Sequence, residues 1–342
     1  MIDFSRPLSR RTMLAATMAT AVGSTHVAGN AQPNGASTAG GASSNWKPTQ
    51  PIKIVVPVVG TTNDQLARLV GPELSKALGQ PVVIENKGGA GGNIGADFVA
   101  KSKPDGYTLL VGYNGPLAIN QTLFPKLPYD PIKDFAPITL AVRAPQYLVA
   151  SMKSDFTSAQ DFIAKSKANP QKYSYASISI GSASHLTMEM LKQAAGIDVV
   201  HVPYRGAPPA LIDLMEGNVQ VAFLVPGNVR TYVGAGKIKL LATSGAKRFR
   251  SAPDVPTLIE LGYPTMDAQS WIGFLAPAGT PQEIVDVYNR EMVKILNSPT
   301  ITQALHDMEY EVVAGSSRQF SDWIASEAET WGAIVKSTGA RV

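Results

Sequence analysis

Short β-branched runs alternate along the chain with longer segments whose apolar residues fall at helical spacing. Ile52-Lys53-Ile54-Val55-Val56 has the character of a buried strand. From Asp64 to Leu78, Leu66, Leu69, Val70, Leu74 and Leu78 share one helical face, and Gly79 ends the run. Val82-Val83-Ile84 is a second strand, followed by a glycine-rich loop and a helix through Ala96 to Lys101. Asp105-Gly106 then turns into the strand Tyr107 to Val111. This β-α-β-α-β order predicts a parallel sheet between helices.

The rhythm restarts further on. Strands are predicted at Tyr147 to Ser151, Tyr173 to Ser177, Val199 to Val202, Val219 to Phe223 and Leu240 to Thr243. Helices are predicted at Ser158 to Asn169, Ser184 to Ala195 and Pro208 to Met215, stopped by Pro170, Gly196 and Gly217. The last third adds a strand at Gly273 to Ala276 and helices at Pro281 to Leu296 and Gln319 to Lys336. The pattern gives two α/β lobes, the first from both chain ends (51–147 and 272–342), the second from the middle (148–271). Open parallel sheets bind ligands beyond the carboxyl ends of their strands, so the inter-lobe cleft is the expected site.

The first 31 residues depart from this rhythm. Ser9-Arg10-Arg11-Thr12-Met13-Leu14 is a twin-arginine pattern, and Met13 to Val22 is an uncharged, mildly apolar stretch. Gly29-Asn30-Ala31 supplies the small residues a signal peptidase reads, so export with cleavage near Ala31 is expected. Residues 32–50, rich in Gly, Ser, Ala and Asn, read as a disordered leader. No later segment approaches 18 uncharged apolar residues, and the mature protein is expected to be soluble.

Composition narrows the function. Of the 342 residues 44% are hydrophobic, enough for one large or two medium cores. The net charge is +4, of which the first 31 residues hold +2. No basic stripe follows, and Lys247-Arg248-Phe249-Arg250 reads as a solvated turn, so nucleic-acid binding is not expected. The absence of cysteine excludes disulfides, thiolate metal sites, a cysteine nucleophile and a lipoprotein anchor. The histidines, His26, His185, His201 and His306, show no metal-ligand spacing, and no GxSxG elbow exists. Lys87 to Gly95 lacks both the GxxxxGK[ST] pattern and the third glycine of GxGxxG, which argues against a nucleotide. No catalytic group, metal or cofactor is expected.

Three predicted strand-to-helix loops are small, hydroxylic and glycine-bearing: Gly60 to Asn63, Ser177 to Ser182, and Arg205 to Ala207. Helix N-termini expose unpaired N–H groups and partial positive charge, so such loops suit an anion. Taken singly, their Ser, Thr and Asn residues also serve as plain helix caps.

Several stretches together resemble the substrate-binding proteins of tripartite tricarboxylate transporters, the Bug receptors. They are Val82 to Gly95, Pro104 to Leu110, Leu127 to Pro131, Asp134 to Pro137, His201 to Gly206, Asp254 to Thr257 and Ala276 to Pro281. The resemblance implies a two-lobed periplasmic binding protein, type II-like, each lobe a mostly parallel sheet flanked by helices, closing over its ligand. It implies a small organic carboxylate as ligand, membrane permease subunits as partners, no enzymatic activity and a monomer. Carried over, it nominates Val58, Val59, Gly60, Thr61 and Asp64 in the first loop, and Ser177, Gly181, Ser182 and His185 in the second. Asn114, Tyr204, Arg205, Ala207 and Trp271 are nominated as cleft-lining. Asp64 reads equally as an N-cap. The first loop carries one glycine where the family usually has two and is a residue short, and Ser179 replaces a usual glycine; this bulkier loop points towards an aromatic or longer-chain acid. A periplasmic sensor presenting its ligand to a signalling partner is the alternative role.

Overall fold

The computed structural model describes residues 46–58 and 60–342. The expected signal segment, its cleavage point and the leader as far as residue 45 lie outside the described residues, as does Val59. In chain order the elements are β1 (Ile52–Val56), α1 (Thr62–Leu78), β2 (Val82–Asn86), α2 (Asn93–Ala100), β3 (Thr108–Tyr113), α3 (Asn120–Leu123) and β4 (Phe135–Pro145). Then follow β5 (Tyr147–Ser151), α4 (Ala159–Ala168), β6 (Ser174–Ser177), α5 (Ala183–Ala195), β7 (Val200–Pro203), α6 (Ala207–Glu216), β8 (Val221–Leu224), α7 (Pro226–Gly234) and β9 (Ile238–Thr243). The chain closes with β10 (Gln269–Pro277), α8 (Gln282–Leu296), α9 (Pro299–Asp307), β11 (Glu311–Val312) and α10 (Ser317–Thr338).

Two sheets result. One has the order β11-β4-β10-β3-β1-β2 and draws its strands from both ends of the chain. The other, β7-β6-β8-β5-β9, comes from the middle. β1 lies between two parallel neighbours, which explains its nearly unbroken buried run of Ile52, Ile54, Val55 and Val56. α1 stops where Gly79 takes a left-handed φ of 71° and returns its N–H to the Ser75 carbonyl.

The sheets are mixed, not mostly parallel. β10 is antiparallel to β3 and β4, and β5 is antiparallel to β8 and β9. The cause is the double crossing between lobes. β4 leaves the first sheet at one edge and β10 re-enters from that same edge, so the two must run in opposite directions. The crossings meet at Gln146, whose carbonyl accepts from the Ser244 amide at 2.8 Å and whose side-chain amide donates to Ser270 Oγ at 2.7 Å. Tyr147 already pairs in the second sheet, and Gln269 to Trp271 pair in the first, so the crossings sit slightly off the boundaries expected at 147/148 and 271/272.

Residues 46–50, expected to be part of the leader, are anchored. The Trp46 ring lies 5.5 Å from that of Tyr288 and 6.0 Å from that of Tyr107, and the Thr49 amide donates to the Tyr107 hydroxyl at 3.1 Å. One large aromatic ring packed between two tyrosines anchors this segment.

One apolar cluster runs through both lobes. It joins Leu117, Leu123, Phe320 and Trp331 of the first to Tyr175, Leu186 and Met190 of the second. The outer faces of the sheets carry their own cores, under α1 and α8 in the first lobe and under α6 and α7 in the second.

Candidate functional site

In each sheet the parallel strands end at the edge facing the other lobe. β1, β2 and β3 end on one side, and β6, β7 and β8 on the other. The lobes touch directly there: a Cβ built on Gly181 would lie 2.1 Å from Leu123 Cδ2. On a second flank, Arg230 of α7 pairs with Glu309 at 2.8 Å, and a Cβ on Gly227 would lie 3.3 Å from the Met308 carbonyl oxygen.

The second loop is the most ordered part of the site. Ser182 caps α5, its Oγ accepting from the His185 amide, and also donates to the Ser179 carbonyl at 2.7 Å. The Gly181 amide, at a left-handed φ of 72°, donates to His185 Nδ1 at 3.0 Å. The neutral His185 ring therefore carries its proton on Nε2. Ser177, fully buried at the end of β6, donates to the Ser179 carbonyl at 3.1 Å and meets His201 Nε2 at 2.7 Å. Because the hydroxyl has a single hydrogen, it accepts from His201 Nε2–H. The His185 and His201 rings stack with centroids 4.0 Å apart, and Tyr175 stacks on His201 at 4.7 Å. Burial, and secondarily the charge His185 would carry, pushes His201 down to about 4; burial also lowers His185.

The third loop is zipped to the second. The Tyr204 amide donates to the Ser177 carbonyl at 2.9 Å, and the Gly206 amide to the Ile178 carbonyl at 3.0 Å. Tyr204 donates its hydroxyl to Asp213 at 2.6 Å; burial first, then that carboxylate, pushes its pKa up to about 12. Ala207 opens α6, with Pro208 and Pro209 in the first turn. Between them Arg205 is exposed and has no ion pair or hydrogen bond among the described residues.

In the first lobe Thr61 occupies the N-cap position of α1 without capping it. Its hydroxyl donates instead to the Val58 carbonyl at 2.9 Å. The Gln65 amide is the first to close an intrahelical bond, leaving the preceding amides of α1 available. Gly60 is exposed at a φ of 69°, and Val58 is half-buried. Asp64 is not the N-cap: it lies inside the first turn and its Oδ1 holds Arg68 at 3.1 Å. Thr62 contacts the Tyr310 hydroxyl at 3.2 Å, tying the start of α1 to the residue after Glu309. Asn114, directly after β3, is buried, and its Nδ2 has no partner among the described residues.

Trp271 is the nominated residue that falls elsewhere. It has no exposed surface, donates its indole N–H to Glu327 at 2.7 Å and packs edge-on against Phe320 of α10. Sequence reasoning missed His201, which rests behind Ser177, and the start of α7 at Pro226 and Gly227. A histidine in a strand whose partners lie 24 and 16 residues away carries no local signal. A surface depression of about 470 Å³ between α8 and the start of α10, lined by Pro137, Asn289, Ser316 and Arg318, includes none of these loops.

Comparison with known proteins adds four findings. The family model described as tripartite tricarboxylate transporter family receptor matches residues 66–340. The chain is similar to the protein BugT of Bordetella pertussis, 35% identical over 302 residues, covering 88% of this chain and 93% of the relative. Among solved structures it resembles Rpa4515 of R. palustris with adipate, with 35% identity and a TM-score of 0.76, covering 86% of this chain and 99% of that one. It also resembles MatC of Rhodopseudomonas palustris with bound malate, with 32% identity and a TM-score of 0.73, covering 84% and 99%. The architecture is the two-lobed, mixed α/β fold of type II periplasmic binding proteins.

Proposed function

The chain belongs to the tripartite tricarboxylate transporter receptor family, a family of non-enzymatic binding receptors, and from that premise we propose that it captures a small organic carboxylate between its lobes. The observation that carries this reading is Asn114. Its amide Nδ2 is buried with no acceptor among the described residues, directly after β3 at the strand edge facing the second lobe. Leaving a buried donor unpaired costs about 1–3 kcal/mol, a penalty a ligand oxygen removes. Around that edge the donors are compatible with an anion: the early amides of α1, the Nε2–H of His185 and the guanidinium of Arg205. Two of them are uncharged and come from opposite lobes, while Arg205 adds a full charge from the third loop. That division favours an acid with two separated carboxylates, and adipate and malate bound to relatives are of this kind.

The biological role that follows is delivery of the acid to membrane permease subunits from the periplasm, reached through the twin-arginine segment at residues 9–14. Native mass spectrometry and thermal-shift measurements with mono-, di- and tricarboxylates test the ligand class. A bound acid at about a hundredfold over its dissociation constant raises stability by about 2.7 kcal/mol. Melting curves unmoved by every acid would overturn the assignment.

A further inference from the structure

Beneath the second loop lies a pair of imidazoles with no part in the reading above beyond the single donor of His185. We propose that His185 and His201 are paired positioning residues for the second ligand loop, His201 holding Ser177 in either charge state and His185 holding the Gly181 amide only while its own ring is neutral. The inference rests on the reading of that loop as an acid-binding element.

Each ring has one grip on the loop. His185 Nδ1 accepts the Gly181 amide at 3.0 Å, and His201 Nε2–H donates to Ser177 Oγ at 2.7 Å. The grips come from different elements, α5 and β7, so the loop is held from two sides. The rings lie 4.0 Å apart at 12° between planes, near enough that one charge opposes a second.

The groups facing the pair give a proton little help. Glu189 of α5 is the nearest carboxylate, but it already accepts from the Tyr175 hydroxyl at 2.6 Å and pairs with Lys192 at 3.0 Å. Lys192 disfavours a positive ring, Tyr175 of β6 covers His201 with an uncharged face, and from the other lobe Leu123 closes over Gly181. A proton arriving from solvent has one place to go on His185, the Nδ1 lone pair, and there it evicts the Gly181 amide. On His201 it takes Nδ1 and sets a cation against the other ring. The downward displacement of both pKa values agrees with this arrangement. Release of the loop therefore belongs to acid conditions.

Histidine side-chain NMR on the ¹⁵N-labelled full chain, followed from about pH 7.5 to about pH 4, tests the proposal without a ligand. The expected spectrum shows His185 as the Nε2–H tautomer, both rings titrating below the ordinary 6.5, and the Gly181 amide moving with His185. A His185 Nδ1–H tautomer, a ring titrating at or above 6.5, or a Gly181 amide indifferent to His185 would each overturn it. A second arm measures adipate affinity of the wild type, His185→Asn and His201→Phe at both pH values, with circular dichroism verifying the fold. Protonation of the diacid is common to all three and cancels in the comparison. The wild type should lose about tenfold more affinity on acidification than His185→Asn, whose Oδ1 accepts the Gly181 amide but takes up no proton, and His201→Phe, which cannot donate to Ser177, should bind more weakly than the wild type at neutral pH. Equal pH dependence in wild type and His185→Asn would sink the inference. Should adipate bind none of the proteins, adipate is excluded as the acid and the spectrum alone decides the positioning role.

Discussion

Trp271 donates its indole N–H to Glu327 at 2.7 Å from within the core of the first lobe. Trp331 donates to the same carboxylate oxygen at 2.8 Å, so two rings from β10 and α10 converge on one buried acid. Burial pushes the Glu327 pKa up to about 7 from 4.5, against the smaller opposing effect of the two indole donors.

That displacement makes stability depend on pH. The folded state holds the Glu327 proton more tightly than the unfolded one, so its contribution is complete below 4.5 and is lost as pH rises through about 7. The loss should approach about 3 kcal/mol by pH 9. Urea unfolding at acid, neutral and alkaline pH reads it directly. Glu327→Gln should flatten the profile while keeping an acceptor for the indoles, whereas Glu327→Ala should destabilise at every pH by leaving two buried donors unpaired, about 1–3 kcal/mol each.

Gly181→Ala should damage the loop in two separable ways. The new Cβ meets Leu123 at 2.1 Å, and the φ of 72° is left-handed. A loss of about 1–3 kcal/mol is expected. Adding Leu123→Ala should recover the steric part alone, a coupling that a double-mutant cycle on thermal stability measures.

Arg230 and Glu309 clasp the lobes on the flank beside the crossing. Glu309 is 2% exposed and sits at a φ of 63°, while Arg230 is 62% exposed. Arg230→Ala should cost about 1–2 kcal/mol, less than a fully buried pair because solvent screens the guanidinium. Small-angle scattering of the ligand-free protein should show a larger radius of gyration for the variant. An unchanged radius would mean that the clasp does not restrain the lobes.

Arg205→Ala should weaken a dicarboxylate such as adipate about tenfold and a monocarboxylate much less, if its guanidinium meets the second carboxylate. Calorimetric titration of both acids against both proteins provides the ratio. Equal losses would assign Arg205 a general electrostatic role.

Where local signals suffice, sequence and structure coincide. The β-branched run at β1, the glycine stops of α1, α5 and α6 and the serine cap of α5 all announce themselves within a few residues. β4 does not, because Pro137 and Pro145 break its pattern. They are tolerated since one lies at a bulge opposite Leu275 and the other at the strand's last position. α7, with Pro226, Gly227 and Gly234, and α9, opened by Pro299, are set by packing rather than propensity. In the site, Ser182 was legible as a cap, but the Ser177–His201 contact joins residues 24 apart. Trp271 was misplaced for a related reason. Its neighbours in sequence lie at the inter-lobe edge, yet its side chain points to α10, and only the pairing of β10 with β4 decides that direction.

The apolar cluster shared by Leu186, Phe320 and Trp331 has a bearing on engineering. Severed at Gln146 and Gln269, neither half would be a self-sufficient module, since each would show water the greasy surface its sibling now hides. Chimaeras assembled by exchanging lobes between receptors should aggregate unless that shared seam is transplanted along with them.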